Sequence, residues 1–183
     1  MLLQLKVPIG PEEWDEDKEE FIPPPYITIE MEHTLVTISK WESKWRKAFL
    51  SKREKTSEEW IDYFKTMIVT PNINDNICDY MTEQNITDIN NYIESPMSAT
   101  YIQADDTGAP NKDVVTSELI YYWMTAHNIP FEECQHWHLN RLLTLIRVCN
   151  EKNAPPDKKR RKPNIEKRRA MNEARKKQFN SKG

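Results

Sequence analysis

The spacing of hydrophobic and polar positions changes several times along the 183 residues. Leu2-Leu-Gln-Leu-Lys-Val7 alternates loosely and predicts a short strand. Pro8, Pro11 and the acidic run Glu12 to Glu20 then break the pattern. Pro23-Pro-Pro25 excludes a helix and favours an extended, polyproline-type segment. Tyr26 to Met31 alternates strictly, with Ile27, Ile29 and Met31 on one side and Thr28, Glu30 and Glu32 on the other. That is the signature of a half-buried strand.

The period then lengthens. Leu35, Ile38, Trp41, Trp45 and Phe49 recur every three or four residues, opposite Lys40, Lys44, Arg46 and Lys47, which predicts an amphipathic helix over about 33–48. Thr56-Ser-Glu-Glu59 reads as a capping box. The helix it opens carries Trp60, Ile61, Phe64, Met67 and Ile68 and must end before Pro71. Two shorter helices follow, capped by Asn74 or Asp75 and by Thr82, the second ending at Pro96. Segments near 99–103 and 112–115 read as strands around the turn chemistry of Asp105-Asp-Thr-Gly108, a small hairpin, and with 2–7 and 26–31 they are expected to build a minor sheet whose pairing the sequence leaves open. Thr116 or Ser117 caps a strongly apolar helix, and residues 131 to about 152 read as the longest helix. Both are apolar over much of their circumference, which predicts the buried centre of a bundle with Trp123, Leu142 and Ile146 inside.

These elements define a fold class: mainly α, a helical bundle with a small antiparallel β-sheet or hairpin (α+β), followed by a basic C-terminal tail. The expected organisation is an N-terminal strand and acidic, Pro-rich arm over 1–25, a helical body with a minor sheet over 26–154, and the tail over 155–183. Pro155-Pro156 marks the second boundary.

Charge sharpens that division. Residues 157–183 hold twelve Lys or Arg against Asp157, Glu166 and Glu173, a net +9, whereas the whole chain is −3, leaving −12 on residues 1–156. Such asymmetry points to a basic arm with an anionic partner. The candidate contacts are Lys158, Lys159, Arg160, Arg161, Lys162, Arg168, Arg169 and Arg175. Phosphate neutralisation would make nucleic-acid binding salt-sensitive. Phe179 is the only aromatic in the tail, so base stacking is poorly supplied and a protein partner is favoured; the acidic body could also pair with the tail, within one copy or between copies. The tail is expected to be disordered when free, or to order only on a partner.

The candidate chemistry is sparse. The three glycines, Gly10, Gly108 and Gly183, are too scattered for a phosphate-cradling loop or a dinucleotide fingerprint. Cys78, Cys134 and Cys149 imply no disulfide framework. His127, Cys134, His136 and His138 lie within twelve residues, and Cys134 and His138 share a helix face, yet Cys134 falls on the stripe of Trp137 and Leu142. A buried thiol is expected there rather than a metal centre or a catalytic nucleophile. No cofactor is expected. No secretory leader opens the chain and no apolar run approaches the ~20 residues a bilayer needs, so a reducing cytoplasm is expected. Trp41, Trp45 and Phe49 have two readings: core, or a partner groove that Lys44 and its neighbours would make attractive to an acidic peptide.

Three stretches carry a resemblance: Leu35-Val-Thr-Ile-Ser-Lys-Trp-Glu-Ser-Lys-Trp45, Ile120-Tyr-Tyr-Trp-Met124 and Trp137 to Pro156. With the Arg/Lys-rich ending, the chain resembles, over most of residues 26–183, the tail assembly chaperones of tailed double-stranded DNA bacteriophages. The resemblance implies a non-enzymatic protein of the host cytoplasm. It would bind the tape measure protein, and meet the tail tube protein, and leave before the virion is complete. The alternatives are a virion structural or connector protein and a small nucleic-acid-binding protein using the tail.

Overall fold

A computed structural model describes residues 2–100 and 114–153. Its first element is a long antiparallel hairpin. β1 (Leu3–Pro8) pairs with β4 (Tyr26–Met31) from Leu3↔Met31 to Pro8↔Tyr26, burying Leu5, Val7, Ile29 and Met31 on one face as the alternation predicts. Between them, β2 (Glu13–Asp15) and β3 (Glu20–Ile22) form a second two-stranded ladder at the hairpin's far end. The acidic run was expected to break structure. It forms strands because Trp14 and Phe21 stand directly opposite each other, and cross-strand aromatic pairs stabilise a ladder.

Five α-helices longer than one turn follow among the described residues, and four of them carry threonine caps. α1 (Leu35–Trp45) opens with a reciprocal capping box between Thr34 and Thr37. It stops at Arg46, whose backbone turns left-handed at φ 54°. α2 (Ser57–Met67) opens with the Thr56–Glu59 capping box. After it, residues 67–70 lie along the free edge of β4: Glu32 N donates to Met67 O, and Val69 N to Glu30 O, both at 2.9 Å. A 3₁₀ helix (Asp75–Tyr80), capped by Asn74, leads into α3 (Glu83–Glu94), capped by Thr82. α4 (Ser117–Ala126) is capped by Thr116.

Three expectations need correction. The helix predicted over 131–152 is broken: a single turn, α5 (Phe131–Cys134), is followed by α6 (Leu139–Asn153). The break exists because Leu139 N donates to His33 O at 2.8 Å and Thr34 bridges His138, drawing that backbone out of the helix. Second, α4 is a surface helix. Ile120 and Met124 are fully buried, packing toward α1, but Trp123 is only half-buried and Tyr122 is 66% exposed. Ten residues in contact along one side bury one stripe, whatever the hydrophobicity of the rest. Third, residues 99–100 and 114–115 are not strands; residues 101–113 of that predicted hairpin lie outside the described residues.

The chain separates into two units, Met1–Ile146 and Arg147–Gly183. The core of the first is Leu5, Val7, Ile29, Met31, Leu35, Ile38, Trp41, Tyr63, Met67, Ile89, Ile120, Met124, Leu139, Leu142 and Ile146. It is an α+β core, mainly helical, with one sheet face at its floor. Of the second unit the described residues, 147–153, are the closing turns of α6.

Candidate protein-binding surface

The aromatic stripe of α1 is the natural starting point. Trp41 and Phe49 are buried. Trp41 stacks on Trp45 at 6.1 Å between ring centroids and meets Phe49 edge-on at 5.2 Å, and Phe49 leans on Tyr63 at 4.1 Å. The Trp41 indole Nε1 donates to the Glu59 carbonyl at 3.0 Å. These rings join α1 to α2, and Trp41 and Phe49 are packed in the core between them. The signal that decides this is the matching stripe Trp60, Tyr63 and Phe64 on α2, which saturates the first one. Trp45 stays half-exposed, its indole donating to Asp62 Oδ2 at 2.7 Å, and Lys44 pairs with the same carboxylate.

Below this layer lie three buried polar knots that the sequence reading did not single out. The first is Glu59, held by Lys47 Nζ at 2.7 Å, by Arg53 Nη2 at 2.9 and 3.0 Å, and by Thr56 N at 2.9 Å. The Lys47 contact first, then Thr56 and Arg53, hold its carboxyl well below the ordinary range, at about 2. The only advance signal was its place in the capping box. The second is Glu42. Its Oε1 accepts from Phe49 N at 2.7 Å and its Oε2 from Ser117 N at 2.8 Å, so one carboxylate ties the reversal after α1 to the first turn of α4.

The third knot is aromatic. His33 and His138 meet at 5.1 Å, flanked by Tyr63 and Tyr92. His33 Nδ1 and the Tyr63 hydroxyl share a hydrogen bond of 2.5 Å. His138 Nε2 donates to the Tyr92 carbonyl at 2.9 Å while its Nδ1 accepts from Asn140 N at 3.3 Å, which fixes a neutral tautomer. Burial, and secondarily the His138 ring beside it, push His33 down to about 3; burial also lowers His138. With the Tyr63 phenol pushed upward by burial, these groups stay neutral at ordinary pH.

The cysteine–histidine cluster does not converge. Cys134 is buried with its thiol pushed up by burial, His138 is committed to Tyr92, and His136 is exposed. Among the described residues no three His, Cys, Asp or Glu side chains stand together as a metal site. Nor, among them, is any helix long and apolar enough to cross a membrane. An open cleft of about 510 Å³ lies between the end of α1 and the start of α4, walled by Glu42, Ser43, Arg46, Lys47, Thr116 and Glu118. Its lining sets the carboxylates of Glu42 and Glu118 against the cations of Arg46 and Lys47.

Exposed rings mark the surfaces open to a partner. On α4 and α5, Tyr122 stands in solvent, and Tyr121 packs edge-on against Phe131, itself 42% exposed, at 5.6 Å. At the far end of the N-terminal hairpin, Trp14 and Phe21 are more than half exposed. The basic residues Lys158, Lys159, Arg160, Arg161, Lys162, Arg168, Arg169 and Arg175 lie outside the described residues. Comparison of the chain with family models, with curated proteins and with solved structures finds no match.

Proposed function

We propose that this chain is a non-catalytic protein-binding factor acting as a phage tail assembly chaperone, one that shields the apolar helices of a tape measure protein in the host cytoplasm until tail tube subunits enclose them. The observation that carries this reading is the aromatic surface of α4 and α5, where Tyr122 and Phe131 are exposed on a body otherwise rich in charge. Rigid aromatic side chains are the commonest anchors of protein interfaces. A client with long apolar helical stripes is matched by rings of this kind. The resemblance of residues 26–183 supports the identity of the client, and the lack of any assembled nucleophile, phosphate loop or metal cluster among the described residues is compatible with a binding role.

Co-expression with the tape measure protein of the same phage tests the proposal. The client is expected to become soluble and to co-purify. Tyr122→Ser with Phe131→Ser should weaken that recovery several-fold while leaving the far-ultraviolet spectrum unchanged. An insoluble client in the presence of folded chain would end the reading. Mass spectrometry of purified virions separates it from the structural alternative, since abundant copies in mature particles would identify a connector or tail component. A gel shift with random duplex at about 50 mM salt, where counterion release is most favourable, tests the nucleic-acid alternative.

A further inference from the structure

The N-terminal hairpin is longer than its packing requires. Its ladder continues past β1 and β4 through Ile9 N donating to Pro25 O at 2.9 Å, then resumes at Glu13↔Ile22. Residues 9–12 on one side face residues 23–25 on the other, four against three, so the arm is bulged as well as interrupted by proline. At its tip, Asp15 Oδ1 accepts from Asp17 N and Lys18 N at 3.0 and 3.2 Å, and Glu19 turns left-handed at φ 52°. Each strand of the tip is three residues long, and neither pairs with a third strand among the described residues.

A two-stranded ladder this short is marginal in water and needs a covering partner. Its two faces differ. Trp14, 51% exposed, and Phe21, 63% exposed, touch edge-to-face at 4.9 Å and form one face. Seven carboxylates against Lys18 give residues 12–20 a net charge of −6. An uncovered aromatic pair rimmed by carboxylates matches a segment dense in arginine and lysine with occasional apolar side chains. Guanidinium groups stack on indole rings while pairing with neighbouring carboxylates. The chain itself contains such a segment. Residues 158–177 hold eleven Lys or Arg against Glu166 and Glu173, with Ile165 and Met171 among them.

We propose that the β2–β3 arm of one copy docks the basic segment 158–177 of a second copy. Arm and segment occur once per chain, so two copies can exchange segments reciprocally about a two-fold axis, or successive copies can join head to tail in a ring or filament. This goes beyond the chaperone reading and uses different residues, so either can fail alone.

Sedimentation of the nuclease-treated full chain tests it. At about 50 mM salt the mass is expected to exceed the 21.8 kDa monomer, and at about 500 mM salt, where screening is strong, to fall back toward it, a weakening of about tenfold or more. Charge reversal of the arm (Glu13→Lys, Glu16→Lys, Glu20→Lys) or of the segment (Arg160→Glu, Arg161→Glu, Arg168→Glu) should each give monomers at low salt. Combining both sets should restore association, a rescue that a folding defect cannot produce. Trp14→Ser with Phe21→Ser should weaken association while the net charge stays unchanged. A wild-type chain that stays monomeric at low salt, including one whose segment folds back within its own copy, would overturn the proposal. So would association indifferent to both reversals.

Discussion

Glu42 and Glu59 are largely buried acidic side chains, and each saturates backbone N–H groups or cations that would otherwise be orphaned. Glu42→Ala strips the acceptor from Phe49 N and Ser117 N together. Leaving two buried donors unsatisfied should cost about 2–4 kcal/mol, measured by urea unfolding. A cost below about 1 kcal/mol would show that water replaces the carboxylate. Protons act on the same knots. The folded chain holds His33 near 3 against an ordinary 6.5, and His138 lower than ordinary, so the unfolded chain takes up protons first as pH falls. Their contribution is therefore complete above pH 6.5 and is lost progressively below it. Glu59, held at about 2 against 4.5, adds a second loss between those values. Urea midpoints should be level from pH 7 to 8 and decline in two stages on acidification; a midpoint that rises below pH 6.5 would mean that the imidazoles are charged in the fold.

At the scale of elements, local signals foretold what local forces decide. The alternation of Tyr26–Met31, the period of Leu35–Trp41 and the Thr-Ser-Glu-Glu capping box each specify an element through neighbours within four residues, and each is found in place. The break before Leu139 was illegible because no glycine or proline causes it; its cause is the carbonyl of His33, more than a hundred residues away. The stripe of Trp41 and Phe49 was equally ambiguous, since periodicity shows that a face is apolar and not what covers it. The same limit governs α4. Met124 is fully buried and Trp123 is not, so Met124→Ala should cost about 2–5 kcal/mol and Trp123→Ala markedly less, despite the larger ring removed. Reversal of that order in thermal denaturation would place Trp123 in the core.

For the molecule as a whole, sequence and structure meet in the separation of charge from core. Among the described residues most carboxylates lie outside the core, Glu42 and Glu59 being buried ones, and the densest acidic run, residues 12–20, lies on the hairpin arm. Which surface meets a partner could not be read from the sequence, because exposure is a property of the packed body and not of any window of residues. Trp14 and Phe21 sit in a run of acids and prolines that looks structureless, yet they are among the most exposed rings of the fold. Salt should thus act on assembly far more than on stability. Raising it from about 50 to about 500 mM is expected to leave the melting temperature within a few degrees, because exposed pairs such as Lys44–Asp62 contribute little. A large shift would move the charge network into the folding equilibrium.

The clasp formed by residues 138–140 has a consequence for synthesis. His138 holds the Tyr92 carbonyl, Leu139 the His33 carbonyl, and Asn140 the carbonyls of Ile93 and Ser95. While a ribosome is still translating the region before it, the nascent chain can build its hairpin and first helices but has nothing to lock them. Nascent chains arrested at residue 134 should be cut readily by protease, whereas chains whose first 150 residues have left the exit tunnel should resist, since late closure of distant contacts is what completes the fold.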